Sequence, residues 1–135
     1  MNWVEKEVPN LELCKRLKRL GYPQEGGGWY YFRFSKKEDF ELSFFHKETP
    51  LSFYGASYKH MEFYKAPTCR ELGEWLPDEF FSARLGEEYV CANMEINPTE
   101  KDKYPTMNAD TEPNVRAKML IWLVENGYVK FEEGK

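Results

Sequence analysis

The chain has 135 residues and a mass of 16.1 kDa, enough for one hydrophobic core and too little for two ordinary domains. Apolar residues make up 41%, charged residues 31% and aromatics 17%, a balance that excludes a disordered chain. The 19 basic residues are outnumbered by 23 acidic ones, giving a net charge of -4 with no basic stripe, so no general nucleic-acid binding is expected.

The opening Met1-Asn2-Trp3-Val4-Glu5-Lys6-Glu7 has neither a basic nor an apolar leader region, and the apolar run Met119 to Val124 is far too short to span a bilayer. No membrane association and a cytoplasmic location are the expectations. Cys14, Cys69 and Cys91 are widely spaced and form no CxxC pair, which argues against a disulfide framework and a structural zinc site. His46 and His60 share no ligand spacing with each other or with a cysteine, so no metal and no cofactor is expected.

Pro9-Asn10 precedes Leu11, Leu13, Cys14, Leu17 and Leu20, an apolar stripe on a helix that Gly21 ends. Lys15, Arg16, Lys18 and Arg19 lie on its other face, where basic groups near the C-terminus complement the helix dipole. After Gly26-Gly27-Gly28, the run Trp29 to Phe34 reads as an aromatic strand, and Phe40 to His46 as its hairpin return, with Phe40, Leu42 and Phe44 on one face. Leu51 to Ala56 and His60 to Tyr64 read as further short strands. Thr68-Cys69-Arg70-Glu71 is a capping box opening a short helix that Pro77 stops.

Phe80 to Leu85 and Tyr89 to Ile96 predict a second hairpin across Gly86-Glu87, with glycine first in the type II′ manner. Asn97 to Ala109 reads as a long surface loop. Asp110-Thr111-Glu112-Pro113 starts a last helix that ends at Asn126-Gly127. Its apolar residues cover more than one face, so it either lies between other elements or turns Met119, Trp122 and Leu123 toward a second subunit, making a homo-oligomer. Tyr128 to Phe131 would add an edge strand. The expected fold is a single α+β domain over 1–135, a layered sandwich with mainly antiparallel sheet of about five to seven strands packed with three helices.

Three stretches, VPNLELCKRLKRLGYP (Val8–Pro23), YKAPTCRELGEWLP (Tyr64–Pro77) and DTEPNVRAKML (Asp110–Leu120), together resemble small proteins of tailed phages and prophages, similar to those grouped as phage sandwich-type α/β domains. The matching segments are helix caps and helix faces and cover roughly a third of the chain. The resemblance implies a phage or prophage origin and the cytoplasm of an infected bacterium. It assigns no catalytic residue. The company of such proteins suggests an accessory binder that counteracts host defence.

Two groups of residues are candidate ligand sites. Gly26, Gly27 and Gly28 could offer backbone amides to an anion, with Trp29, Tyr31 and Arg33 forming a stacking and cationic face for a nucleotide-like ligand. The plainer reading is a glycine linker before a packed aromatic strand. Tyr54, Tyr58 and His60 form a polar aromatic group in which His60 could act as acid or base, or simply be exposed. Cys69, just after the helix cap, could be activated as a nucleophile with His60 nearby, or be a small buried residue.

The sequence therefore supports a non-enzymatic binding protein that holds a host protein or a small nucleotide-like ligand. A cysteine- and histidine-dependent hydrolase or transferase, and a phage structural or assembly component, are the alternatives.

Overall fold

The computed structural model describes residues 6–46, 62–94 and 104–131. Helix α1 (Leu11–Arg19) starts at Asn10, whose side chain accepts from the Leu13 amide at 3.0 Å, and buries Leu13, Cys14 and Leu17. The apolar stripe thus dictates which side of α1 faces inward. In the first sheet β1 (Gly28–Arg33) is central, with β2 (Glu41–Phe45) and β3 (Glu62–Ala66) antiparallel on either side. Helix α2 (Cys69–Trp75) follows, and its capping box is formed as the sequence predicts.

The second sheet has the order β4 (Phe80–Leu85), β5 (Glu88–Asn93), β6 (Met107–Ala109), all antiparallel. Gly86 has φ +69°, while no non-glycine residue among those described has positive φ. That combination matches the predicted type II′ turn, which needs a positive φ only at its first central residue.

Helix α3 (Glu112–Glu125) explains the excess of apolar residues in its sequence. One side, through Ala117, Leu120 and Ile121, packs on Leu13, Leu17, Leu72 and Phe131; the other, through Val115, Met119 and Leu123, packs on Phe80, Cys91 and Ala109 of the second sheet. Each fully buried leucine contributes about 1.5–3 kcal/mol of transfer free energy. Met119 and Leu123 are therefore core residues of a single chain, completely shielded from solvent, and offer no surface to a second subunit. Trp122 is half-buried and stacks on Tyr128, ring centres 5.8 Å apart.

Three further expectations change. The expected Tyr128 to Phe131 strand is not formed; Phe131 instead turns inward, edge-on to Tyr22 at 5.1 Å and Trp75 at 5.0 Å, because aromatic burial outweighs edge pairing there. The end of the expected Asn97 to Ala109 loop pairs with β5 as β6. The expected His60 to Tyr64 strand runs on to Ala66 as β3. The expected strand Leu51 to Ala56 lies outside the described residues. The protein is α+β, with three helices and six strands in two sheets among the described residues. None of its helices is long and apolar enough to cross a membrane, among the described residues.

Candidate functional site

The glycine loop is organised around a cation. Lys65 on β3 is 5% exposed, and its ammonium donates to the Glu25 carbonyl at 3.0 Å and the Gly27 carbonyl at 2.7 Å. The same ammonium lies 5.0 Å from the centre of the Tyr30 ring. Gly26 (φ +82°) and Gly28 (φ +132°) allow this wrap, and a Cβ at Gly28 would come within 3.3 Å of Lys65 Nζ. The loop thus turns carbonyl oxygens toward a buried positive charge, the opposite polarity from an amide cradle for an anion. Burial lowers the Lys65 pKa, partly countered by Glu71 and Glu25.

Trp29, Tyr31 and Arg33 do share one face of β1, as alternation requires. That face packs inward: Trp29 and Tyr31 lie against Val8, Cys14 and Ala66, and the Tyr31 hydroxyl donates to the Pro9 carbonyl at 3.0 Å. Arg33 reaches its cross-strand neighbour Glu62, with Nε at 3.0 Å and Nη2 at 2.7 Å from one carboxylate oxygen. Its guanidinium also lies 4.3 Å from the Phe40 ring centre. Tyr54, Tyr58 and His60 lie outside the described residues, as does any approach of His60 to Cys69.

The Arg33 hydrogen bonds hold the Glu62 carboxyl below the ordinary carboxylate range, with a smaller contribution from the Tyr64 hydroxyl. A carboxylate with a depressed folded-state pKa contributes stability above its unfolded pKa and loses it as pH falls through the folded value. Glu62→Gln is therefore expected to reduce stability at neutral pH and to flatten its decline below about pH 4. Denaturant midpoints measured across the acid range check this; parallel acid profiles for the two proteins would contradict it.

A more open site lies where α2, the β4–β5 turn and the start of α3 meet. The capping box fixes Cys69 as the first helical residue of α2, and its amide donates to the Glu7 carbonyl at 3.2 Å. The Cys69 thiol is pushed up to about 11, mainly by burial and further by the Glu112 carboxylate, while Arg116 pulls it partly back. Beneath it Arg116 donates to the Cys69 carbonyl at 2.7 Å and to Ser82 Oγ at 2.8 Å. The Ser82 hydroxyl in turn donates to Glu112. This network ties α2, β4 and α3 together, and two of its members, Cys69 and Glu112, line a cleft.

The cleft has a volume of about 410 Å³, with Lys6, Glu7, Arg84, Glu87, Asp110 and Glu112 as its charged walls and Cys69 and Tyr89 beside them. Four carboxylates thus face two cations. Asp110 accepts from Asn114 Nδ2 at 2.9 Å. No cluster of three or more histidine, cysteine or acidic side chains could hold a metal among the described residues.

Of the candidate site residues that the sequence singles out and that lie among the described residues, only Cys69 lines this cleft. Asp110 to Pro113 carry a helix-start signal and Glu87 a hairpin-turn signal, and neither pattern marks a cavity wall. Lys6, Glu7, Arg84 and Tyr89 carry no local signal, because only the tertiary fold brings them together. Compared with protein-family models, curated proteins and solved structures, the chain matches none.

Proposed function

We propose that this is a non-catalytic binding protein that holds a basic segment of another polypeptide in the cleft beside Cys69. The sheets, layered on the helices, serve as its scaffold. The observation that carries this reading is the charge of the cleft, four carboxylates against two cations in its lining, and three against two once Glu112 is set against Arg116 at 3.6 Å. That balance attracts lysine or arginine side chains and disfavours a polyphosphate. The alternative nucleotide site is weakened because Arg33 is already engaged by Glu62, and the glycine loop by Lys65. In this reading, which follows the resemblance to phage proteins, the binder acts on a host protein in an infected bacterial cytoplasm.

The hydrolase or transferase reading needs a thiolate at neutral pH. Burial pushes the Cys69 thiol up to about 11, which favours the unreactive thiol. Iodoacetamide labelling of the folded protein at Cys69 should therefore be slow at pH 7 and accelerate only toward strongly alkaline pH. Rapid labelling at pH 7 would restore the enzyme reading.

The binding reading is tested by calorimetric titration with an arginine-rich peptide and, separately, with a panel of nucleotides. The peptide is expected to bind, more weakly as salt rises, and Glu7→Gln with Glu87→Gln should weaken it several-fold. Nucleotide binding abolished by Arg33→Ala, with no peptide binding, would overturn it.

A further inference from the structure

We propose that the rim where α1 meets β1 and β3 is a docking surface for a short acidic segment of another polypeptide, a run of a few aspartate or glutamate side chains. The fold gathers cations there through aromatic rings. The Lys15 ammonium lies 5.3 Å from the centre of the Phe40 ring, and the Arg33 guanidinium 4.3 Å from the same centre. Lys15 and Lys18 likewise share the Tyr64 ring, at 5.8 and 4.9 Å, and Lys18 lies 4.2 Å from the centre of Phe63. The negative ring faces offset the repulsion between these neighbouring cations and fix them along one strip.

Two exposed cations extend the strip. Burial raises the Tyr64 pKa and Arg19 pulls it partly back, while the Glu62 carboxyl, held down first by Arg33, is held down further by Lys36. Complementing the helix dipole explains basic residues near the end of α1 but not this convergence. Arg16 of the same helix turns instead to Glu125 at 3.4 Å, whereas Lys18 reaches across to the Phe63 carbonyl at 2.8 Å.

The acids of the rim define the length of the partner. Glu62 lies inside the strip, bonded to Arg33 at 2.7 Å and to the Tyr64 hydroxyl at 3.2 Å. Glu12, 3.8 Å from Lys15, borders it on α1, and Glu38 and Asp39 border it in the β1–β2 connection. The positive potential is therefore local. It suits a few carboxylates, while the bordering acids repel a phosphate backbone that runs on past the rim. Each of the three rings already carries a side-chain cation, which weakens it as a stacking platform for a nucleic-acid base. Capture of acidic motifs by clustered cations fits both facts. The rim shares no residue with the cleft beside Cys69, so the two surfaces can be tested separately.

Fluorescence anisotropy on the full chain, with labelled hexaglutamate and with a single-stranded oligonucleotide of equal charge, tests this docking surface. Hexaglutamate is expected to bind, more weakly as salt rises. Arg19→Glu with Lys36→Glu should weaken it by at least about tenfold with unchanged circular dichroism, and Arg19→Gln with Lys36→Gln, which only removes the charges, by about threefold or more. Glu7→Gln with Glu87→Gln, in the cleft, should leave it unchanged. A protein that ignores hexaglutamate at millimolar concentration would overturn the proposal, as would binding indifferent to both pairs of rim substitutions. An oligonucleotide held at the rim as tightly as hexaglutamate would overturn it too, since the surface would then be a nucleic-acid site.

Discussion

Leu123→Ala is expected to lower the unfolding free energy by about 2–5 kcal/mol while leaving the association state of the folded protein unchanged. Leu123 has no solvent exposure and packs with Phe80, Cys91, Val115 and Met119 between α3 and the second sheet. Truncation removes transfer free energy and leaves a cavity that the surrounding helix and sheet refill only in part. An interface residue would behave differently, shifting the dissociation constant and sparing the intrinsic stability of the monomer. Denaturant unfolding at fixed protein concentration, with sedimentation of the folded state, separates the two. A loss below about 1 kcal/mol would contradict the burial of this position.

Gly73→Ala should destabilise the protein, although alanine is the better helix former by about 1 kcal/mol. Gly73 sits within α2, and a Cβ there would fall 2.6 Å from Arg116 Nη1. That nitrogen is held by the Cys69 carbonyl at 2.7 Å, and Arg116 Nε by Ser82 at 2.8 Å. Moving the guanidinium away sacrifices these bonds and the contact with Glu112, 3.6 Å from Nη2. The net loss is expected to be about 1–3 kcal/mol, discounted because the Arg116 side chain retains partial solvent access.

The sign should reverse in an Arg116→Ala background, where the same substitution meets open space and gains its helix propensity. A double-mutant cycle reads the difference directly, with a coupling above about 1 kcal/mol expected. Additive effects would mean that the guanidinium does not lie over Gly73.

Local chemistry made much of the fold legible. Asn10, Thr68 and Thr111 announce the three helices because a capping oxygen needs only the next three residues to find its amide. The Gly86 turn and the alternation of β1 and β2 are equally local. Met119 and Leu123 show the limit, since a helix apolar on two sides predicts two contacts without saying whether one is another chain. The structure supplies both contacts from within.

The candidate site was far less legible for a related reason. Lys65 meets the glycine loop across about 40 residues of chain, and Arg116 meets Ser82 and Cys69 across 34 and 47. The sequence offered a glycine loop with a nearby arginine, and both readings of that pattern, anion cradle and packed strand, were open. Which one forms depends on the β1–β3 register, which puts Glu62 beside Arg33 and Lys65 beside Tyr30. The cleft charges come from three separate segments, so no window of sequence contains them.

The most direct test of the central claim is a backbone amide NMR titration with an arginine-rich peptide and with nucleotides in parallel samples. Binding at the acid-lined cleft predicts that the peptide shifts Glu7, Cys69, Glu87, Tyr89 and Asp110 to Glu112, with Gly26 to Arg33 unmoved in either sample. Shifts centred on Gly26 to Arg33 with nucleotide, and a cleft indifferent to the peptide, would contradict it.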